Sequence, residues 1–168
     1  MPAQGSRDYI RGAVARLAAF NPAVKTLDES IARAMAAERL GYESVWTTQM
    51  PDARDAALVL AAYAHATERV KLGTGVLPIY TRHPTAMAQM AATLDELSGG
   101  RFILGIGISH KVTVEGMWGL KLDDPVGAMR EYLTIVRSIL RDGATSVEGA
   151  NSPREAFTPR RGAPTSRS

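Results

Sequence analysis

The sequence contains no cysteine, and only 6% of its residues are aromatic. The absence of cysteine excludes disulfides, thiolate catalysis and cysteine-ligated metal, although it says little about the cellular compartment. The chain also lacks a run of about 18 apolar residues, the length that a membrane-spanning helix needs. Its amino terminus shows no positively charged segment followed by an apolar signal core. We therefore expect no membrane association and a cytoplasmic location.

Histidine is scarce as well, with three in 168 residues. These histidines are scattered and have no paired carboxylates at metal-ligand spacing, so the sequence predicts no metal site. It also contains neither a phosphate-binding loop nor a recognisable Ser-His-Asp arrangement. These absences exclude the hydrolase and metalloenzyme classes that are most easily identified from a sequence.

The net charge of +3 is small and unevenly placed. Between residues 146 and 168, four arginines stand against two glutamates, so most of the excess lies near the carboxyl terminus. The rest of the chain has no basic helix face interleaved with aromatic residues, which is the pattern that nucleic-acid binding requires. We therefore predict a small-molecule substrate and no nucleic-acid partner.

The pattern of apolar and polar residues predicts strands and helices in alternation. Strands are predicted at residues 13–20, 42–48, 70–76 and 101–110. Helices are predicted from the capping box at 26–29 to Gly41, from Asp55 to about Thr67, from Pro84 to the stop at 98–100, and from 124–125 to Gly143. The strand starts at Tyr42, Val70 and Arg101 are 28 and 31 residues apart. Such regular alternation predicts a parallel sheet, either open and doubly wound or part of a (β/α)8 barrel.

The helical periodicity also predicts which residues face the core. The predicted inward residues are Leu27, Ile31, Ala34 and Met35 in the first helix, Met87, Met90, Ala91, Leu94 and Leu97 in the third, and Met129, Leu133, Val136 and Leu140 in the fourth. Composition divides the chain into a loose leader at residues 1–12, one folded unit at 13–143, and a disordered tail at 144–168 rich in Gly, Pro, Ser, Thr and Arg.

Glycines are concentrated at the carboxyl ends of the third and fourth strands, as Gly73 and Gly75 and as Gly105 and Gly107. Neither pair completes a G-x-G-x-x-G fingerprint, because Pro78 or His110 stands in the third glycine position. Two interpretations remain open from the residues alone. The glycines allow either close backbone packing at strand ends or the approach of a ligand.

Several motifs together resemble the bacterial luciferase-like oxidoreductases, and within them the branch that uses the deazaflavin coenzyme F420. These motifs lie at residues 73–78, 80–84, 99–102, 104–110, 115–120 and 129–133. The resemblance implies a TIM-type (β/α)8 barrel. Because such a barrel takes about 250 residues and eight units, the predicted fold is a partial barrel of about four βα units, truncated to the amino-terminal half. A homo-oligomer, or association with a chain that completes the barrel, is the expected partnership.

The resemblance also implies a function and a set of cofactor-binding residues. It implies hydride transfer between coenzyme F420 and an organic substrate, with an FMN-dependent monooxygenase and a non-catalytic half-barrel as alternatives. The implied cofactor-binding residues are Thr48, Gln49, Gly75, Val76, Gly107, Ser109 and His110. The peptide at Gly75-Val76 resembles the family's bulge behind the ring, which often contains a non-proline cis bond.

The sequence departs from the family at the end of the second strand. Many relatives carry an acidic residue followed by histidine there, whereas this chain has Gln49 and Met50. An amide can form hydrogen bonds but cannot act as a general acid or base. No catalytic residue is therefore assigned.

Overall fold

A computed structural model describes residues 17–21 and 26–142. The strands are β1 (Ala18–Phe20), β2 (Ser44–Thr47), β3 (Lys71–Thr74), β4 (Leu77–Pro78), β5 (Phe102–Ile103) and β6 (Ile106–Gly107). The helices are α1 (Leu27–Arg39), α2 (Ala56–Ala66), α3 (Pro84–Ser98) and α4 (Pro125–Asp142). The predicted leader and tail lie outside the described residues. Within those residues, no helix combines the length and the apolar character needed to cross a membrane.

The strands form a parallel sheet in chain order. The sheet runs β1-β2-β3-β5, and β4 pairs with β6 as a two-stranded continuation. Val45, Leu72 and neighbouring apolar residues pack against helices α1 to α3 on one face. A doubly wound sheet would reverse its strand order and carry helices on both faces. Sequential order with helices on one side is the arrangement of a barrel wall.

Each helix begins where the sequence predicts it. The Thr26 hydroxyl accepts a hydrogen bond from Glu29 N at 3.3 Å, and Asp55 caps α2 by accepting from Ala57 N and Leu58 N. Asp124 accepts from Gly127 N at 2.9 Å and starts α4. Gly99, with φ of 66°, ends α3 in the left-handed conformation that glycine adopts readily.

The predicted core faces of the helices are partly wrong. Leu133 and Leu140 of α4 are 39% and 46% exposed, whereas the predicted Val136 is buried, together with Tyr132, Ile135 and Ile139, which were not predicted. Leu97 of α3 and Leu27 and Met35 of α1 are also exposed. The hydroxyl of Tyr132 donates to Arg82 O at 2.9 Å, two residues before α3, and the buried side chains of α4 cluster with Met87 and Ala88 of α3. Packing between the two helices therefore sets a rotation that periodicity alone does not predict.

The Glu38 carboxylate joins the end of α1 to the segment that enters β3. It accepts hydrogen bonds from the backbone N–H groups of Glu68, Arg69 and Val70, at distances from 2.6 to 3.2 Å. Burial acts to raise the pKa of Glu38, but the three backbone hydrogen bonds outweigh it and lower the pKa below its ordinary value. The ionised form is thus the one that stabilises the fold.

We expect Glu38→Gln to lower the melting temperature in a pH-dependent way. Because the folded pKa lies below the unfolded one, the carboxylate contributes fully above the unfolded pKa, and this contribution is lost as the pH falls through the folded pKa. The difference in melting temperature between wild type and variant should be greatest above about pH 5 and shrink at lower pH. Glu96→Gln, at an exposed position of α3, is the control. A difference that stays constant from pH 7 to about pH 3 would contradict this role of Glu38.

Candidate functional site

The sheet face opposite the helices is open and carries aromatic side chains. Strand register places Phe20, Trp46 and Gly73 side by side on this face. A Cβ on Gly73 would come within 2.6 Å of the Trp46 ring at Cδ2, so only glycine lets the indole lie across β3. The Trp46 N–H donates to the Ser44 hydroxyl at 2.8 Å. The sequence analysis did not identify Trp46 as part of this surface.

A bulge separates β3 from β4 and contains two of the predicted cofactor-binding residues, Gly75 and Val76. The peptide bond between them is cis, as the resemblance implies. Gly75 N donates to Thr47 O at 2.7 Å, and Gln49 N donates to Val76 O at 3.2 Å. Both residues are exposed, Val76 to 37%. The end of β2 therefore holds the bulge with its outer side open.

The predicted fourth strand, residues 101–110, is split into β5 and β6, and β6 lies directly against this bulge. A Cβ on Gly107 would come within 2.6 Å of Val76 Cγ2, so these two predicted residues are in close contact. Nearby, the Thr74 hydroxyl donates to Gly105 O at 2.8 Å and accepts from Gly105 N at 2.7 Å. Thr74 is a second residue that the sequence analysis missed. The signal for it is a hydroxyl residue in β3 beside the glycines of the next strand.

Ser109 and His110 follow β6 at the same end of the sheet. Ser109 has φ of 64°, a left-handed conformation that is uncommon for a residue other than glycine. The carbonyl of His110 accepts hydrogen bonds from Thr113 N and Val114 N at 2.9 Å, and a π-helical turn, Val112–Met117, follows. The imidazole of His110 is exposed. His110 is therefore accessible at the carboxyl end of β6.

The end of β2 contributes Thr48 and Gln49, both half-buried. The Gln49 Oε1 atom accepts a hydrogen bond from Ala56 N at 3.0 Å, at the start of α2. Its Nε2 is 3.5 Å from Met50 O, at the limit of a hydrogen bond. The side-chain oxygen of Gln49 is thus hydrogen-bonded to the start of α2, and its amide nitrogen is the group that remains for a ligand.

The structure brings Gly75, Val76 and Gly107 into one surface and places the other four predicted residues on the adjoining strand ends. In the part of the chain that the structure describes, no three acidic or histidine side chains are grouped as metal ligands. A cleft lies elsewhere, beside the 3-10 turn Ile79–Thr81 and α4, and none of the seven residues lines it. We call the surface formed by Gly75, Val76 and Gly107 the shelf, and two of its three residues are glycines.

Comparison with known proteins identifies relatives of this chain. The family model described as Luciferase-like monooxygenase matches residues 10–166. A Mycobacterium tuberculosis protein named "Putative coenzyme F420-dependent oxidoreductase Rv3520c" is 45% identical over 104 residues, which are 62% of this chain and 30% of that protein. The 5,10-methylenetetrahydromethanopterin reductase of Methanolobus tindarius is 34% identical over 113 residues, covering 67% of this chain and 34% of that protein.

Solved structures show the same fold. The coenzyme F420-dependent tetrahydromethanopterin reductase from Methanopyrus kandleri has a TM-score of 0.73 at 31% identity, covering 82% of this chain and 43% of that one. Monooxygenase RslO1 from Streptomyces bottropensis also has a TM-score of 0.73, at 24% identity, and covers 86% and 48%. This chain spans about a third of the length of the curated relatives it matches. The matches and the strand order confirm a partial (β/α)8 barrel.

Proposed function

We propose, because this chain belongs to the luciferase-like monooxygenase family, that it forms the ring-binding part of a coenzyme F420-dependent oxidoreductase. The observation that carries this proposal is the shelf of Gly75, Val76 and Gly107, in which Gly75 and Val76 are exposed and Gly107 lies against Val76. Support for the deazaflavin comes from relatives at 45% and 31% identity whose names specify coenzyme F420.

The shelf fits a planar ring. Gly75 has no side chain, Val76 presents methyl groups, and Gly107 has no room for a Cβ beside Val76. Such a surface packs against an aromatic ring without requiring hydrogen bonds from it. We therefore assign Gly75 and Val76 to the back of the ring, and Ser109 and His110 to its polar edge.

A bound deazaflavin supplies the hydride chemistry, which takes place at carbon five of its ring. The residues of this chain orient one ring face and shield it from water. The amide nitrogen of Gln49 would donate a hydrogen bond to a ligand at the edge of the site, but an amide cannot act as a base. We assign no catalytic acid or base to the described residues, and the organic substrate is proposed by class only.

The test is a fluorescence titration with coenzyme F420 and, in parallel, with FMN. We expect saturable binding of F420, and we expect Gly107→Ala to weaken it by about tenfold, or about 1.4 kcal/mol, because the new methyl group displaces Val76 from the ring surface. Gly116→Ala is the matched control, because no atom lies within 4 Å of its Cβ position. Binding of FMN alone would make this site a flavin site, and binding of neither would contradict the proposal.

A second candidate function is association with another chain, and the outer edge of the sheet favours it. Every residue from Arg101 to Ser109 is only half-buried, and among the described strands none pairs with the outer edge of β5 or β6. Unpaired strand edges promote association. Light scattering at the titration concentration measures this directly, since a dimer or larger assembly supports association and a monomer argues against it.

The cytoplasmic location stays a prediction.

A further inference from the structure

A second concave site lies between the segment that follows β4 and the first turns of α4. Its volume is about 710 Å³, within the range of small-molecule pockets. Tyr80 and Arg82 line one side, and Asp124, Glu131 and Tyr132 line the other. This cleft, which we call the α3–α4 cleft, is separate from the seven residues of the proposed ring site.

Glu131 provides the first indication of a ligand. It lines the cleft, and its Oε1 atom is buried with no hydrogen-bond partner among the residues that the structure describes. A buried carboxylate oxygen without a donor is unfavourable, because it has lost its hydrogen bonds to water. A molecule in the cleft that brings an N–H donor to the Glu131 carboxylate would offset the negative charge that this unpaired oxygen leaves uncompensated.

The charges around the cleft are mainly negative. Asp123, Asp124 and Glu131 line it together with two cationic residues, Lys121 and Arg82. Arg82 already forms an ion pair with Asp55, so its charge is largely compensated. Burial raises the pKa of the Tyr80 hydroxyl, and the negative charge of Asp124 raises it further. The local potential therefore favours a cation over an anion.

The remaining walls of the cleft are apolar or aromatic. The hydroxyl of Tyr132 is held by Arg82 O at 2.9 Å, so its ring is fixed in the wall. Ile79 and Ile135 complete the apolar lining. A ligand that fits this cleft carries its charge at one end and an apolar body at the other.

We propose that the α3–α4 cleft binds an organic cation whose protonated amine donates a hydrogen bond to Glu131 and whose apolar body packs against Tyr80 and Tyr132. The proposal concerns a site outside the ring-binding shelf and does not depend on the identity of the cofactor.

The test compares three probes of equal size by NMR titration of ¹⁵N-labelled protein: benzylamine, benzyl alcohol and benzoate. We expect saturable shifts of the amide resonances of Leu120 and Ala128, which line the cleft, with benzylamine bound about tenfold more tightly than benzyl alcohol and benzoate bound least. Glu131→Gln keeps the shape and removes the charge, so it should abolish the preference for the amine. Glu96→Gln, the same change at an exposed position of α3, should leave the preference intact.

A second variant keeps the test decisive if Glu131→Gln does not fold. Ala128→Leu places a larger side chain in the cleft without changing its charge, and it should block all three probes while the amide spectrum remains dispersed. Three results would overturn the proposal: equal binding of benzylamine and benzyl alcohol, unchanged amine binding by Glu131→Gln, or no saturable binding of any probe. The last would mean that the cleft holds no organic cation and that Glu131 keeps its unpaired oxygen without a ligand.

Discussion

Replacing Arg101 with alanine is expected to lower the free energy of unfolding by about 3–4 kcal/mol, because one guanidinium holds together the ends of two helices. Its Nε donates to Ser98 O at 2.6 Å at the end of α3. Its terminal nitrogens donate to Ala64 O, Thr67 O and Val70 O, and to the Thr67 hydroxyl, at 2.8–3.0 Å. Carbonyls at helix ends have no partner within the helix, so the variant leaves them unsatisfied. A positive charge near the carboxyl end of a helix also interacts favourably with the helix dipole.

Urea unfolding followed by circular dichroism measures this loss. Arg101→Lys should recover only part of the stability, because an ammonium group cannot reach several carbonyls at once as the guanidinium does. Arg137→Ala removes an arginine from an exposed position of α4 and should change the stability by less than about 0.5 kcal/mol. If Arg101→Ala and Arg137→Ala have equal effects, Arg101 does not hold the two helix ends together.

Gly105→Ala is expected to be similarly costly, with a loss of about 3 kcal/mol in the free energy of unfolding. A Cβ at this position would overlap the carbonyl oxygen of Thr74, which is backbone and cannot rotate away. Gly105 also exchanges two hydrogen bonds with the Thr74 hydroxyl, and its carbonyl accepts from Leu77 N at 2.9 Å. Moving the strands apart to admit the methyl group would break these contacts together.

The same urea experiment tests this prediction, and Gly116→Ala is the control because its Cβ position is open. Both variants gain one methyl group and lose the same chain entropy in the unfolded state. The difference between them therefore reports the space available at Gly105. Equal stabilities would mean that Gly105 and Thr74 are not in such close contact.

The parts of the fold that could be predicted from the sequence are those set by short-range chemistry. Thr26 and Asp55 were identified as helix starts because their side chains accept N–H groups two or three residues later. Gly99 was identified as a stop because it follows an apolar helical stripe and precedes a strand. The regular spacing of these signals was enough to predict a parallel α/β architecture.

The rotation of the helices could not be predicted in the same way. Leu133 and Leu140 fit a helical stripe as well as Tyr132 and Ile139 do, and periodicity does not rank the two faces. The hydrogen bond from Tyr132 to Arg82 and the packing of α4 against α3 select the second face. Both contacts join residues about 50 positions apart, so no local pattern contains them.

The candidate site shows the same division. The glycines at positions 75 and 107 pointed to a place where strands end and a ligand approaches, and the resemblance assigned it to a ring. The engagement of Gln49 with the start of α2 was not predicted, because its partner Ala56 is brought near by the turn between them. Trp46 and the α3–α4 cleft were missed since each depends on residues from separate strands or helices.

Sequence alone was thus sufficient for the alternation of strands and helices, the helix starts, the family and the strand-end glycines, all of which depend on neighbouring residues or on short motifs. It did not predict β4 or the division of residues 101–110 into β5 and β6. Three other features depend on distances between segments that are remote in the sequence. They are the close contact of Gly107 with Val76, the hydrogen bonds from Arg101 to two helix ends, and the unpartnered oxygen of Glu131. Such distances are set when whole helices and strands pack together, because a close-packed interior allows few alternative arrangements of its buried side chains.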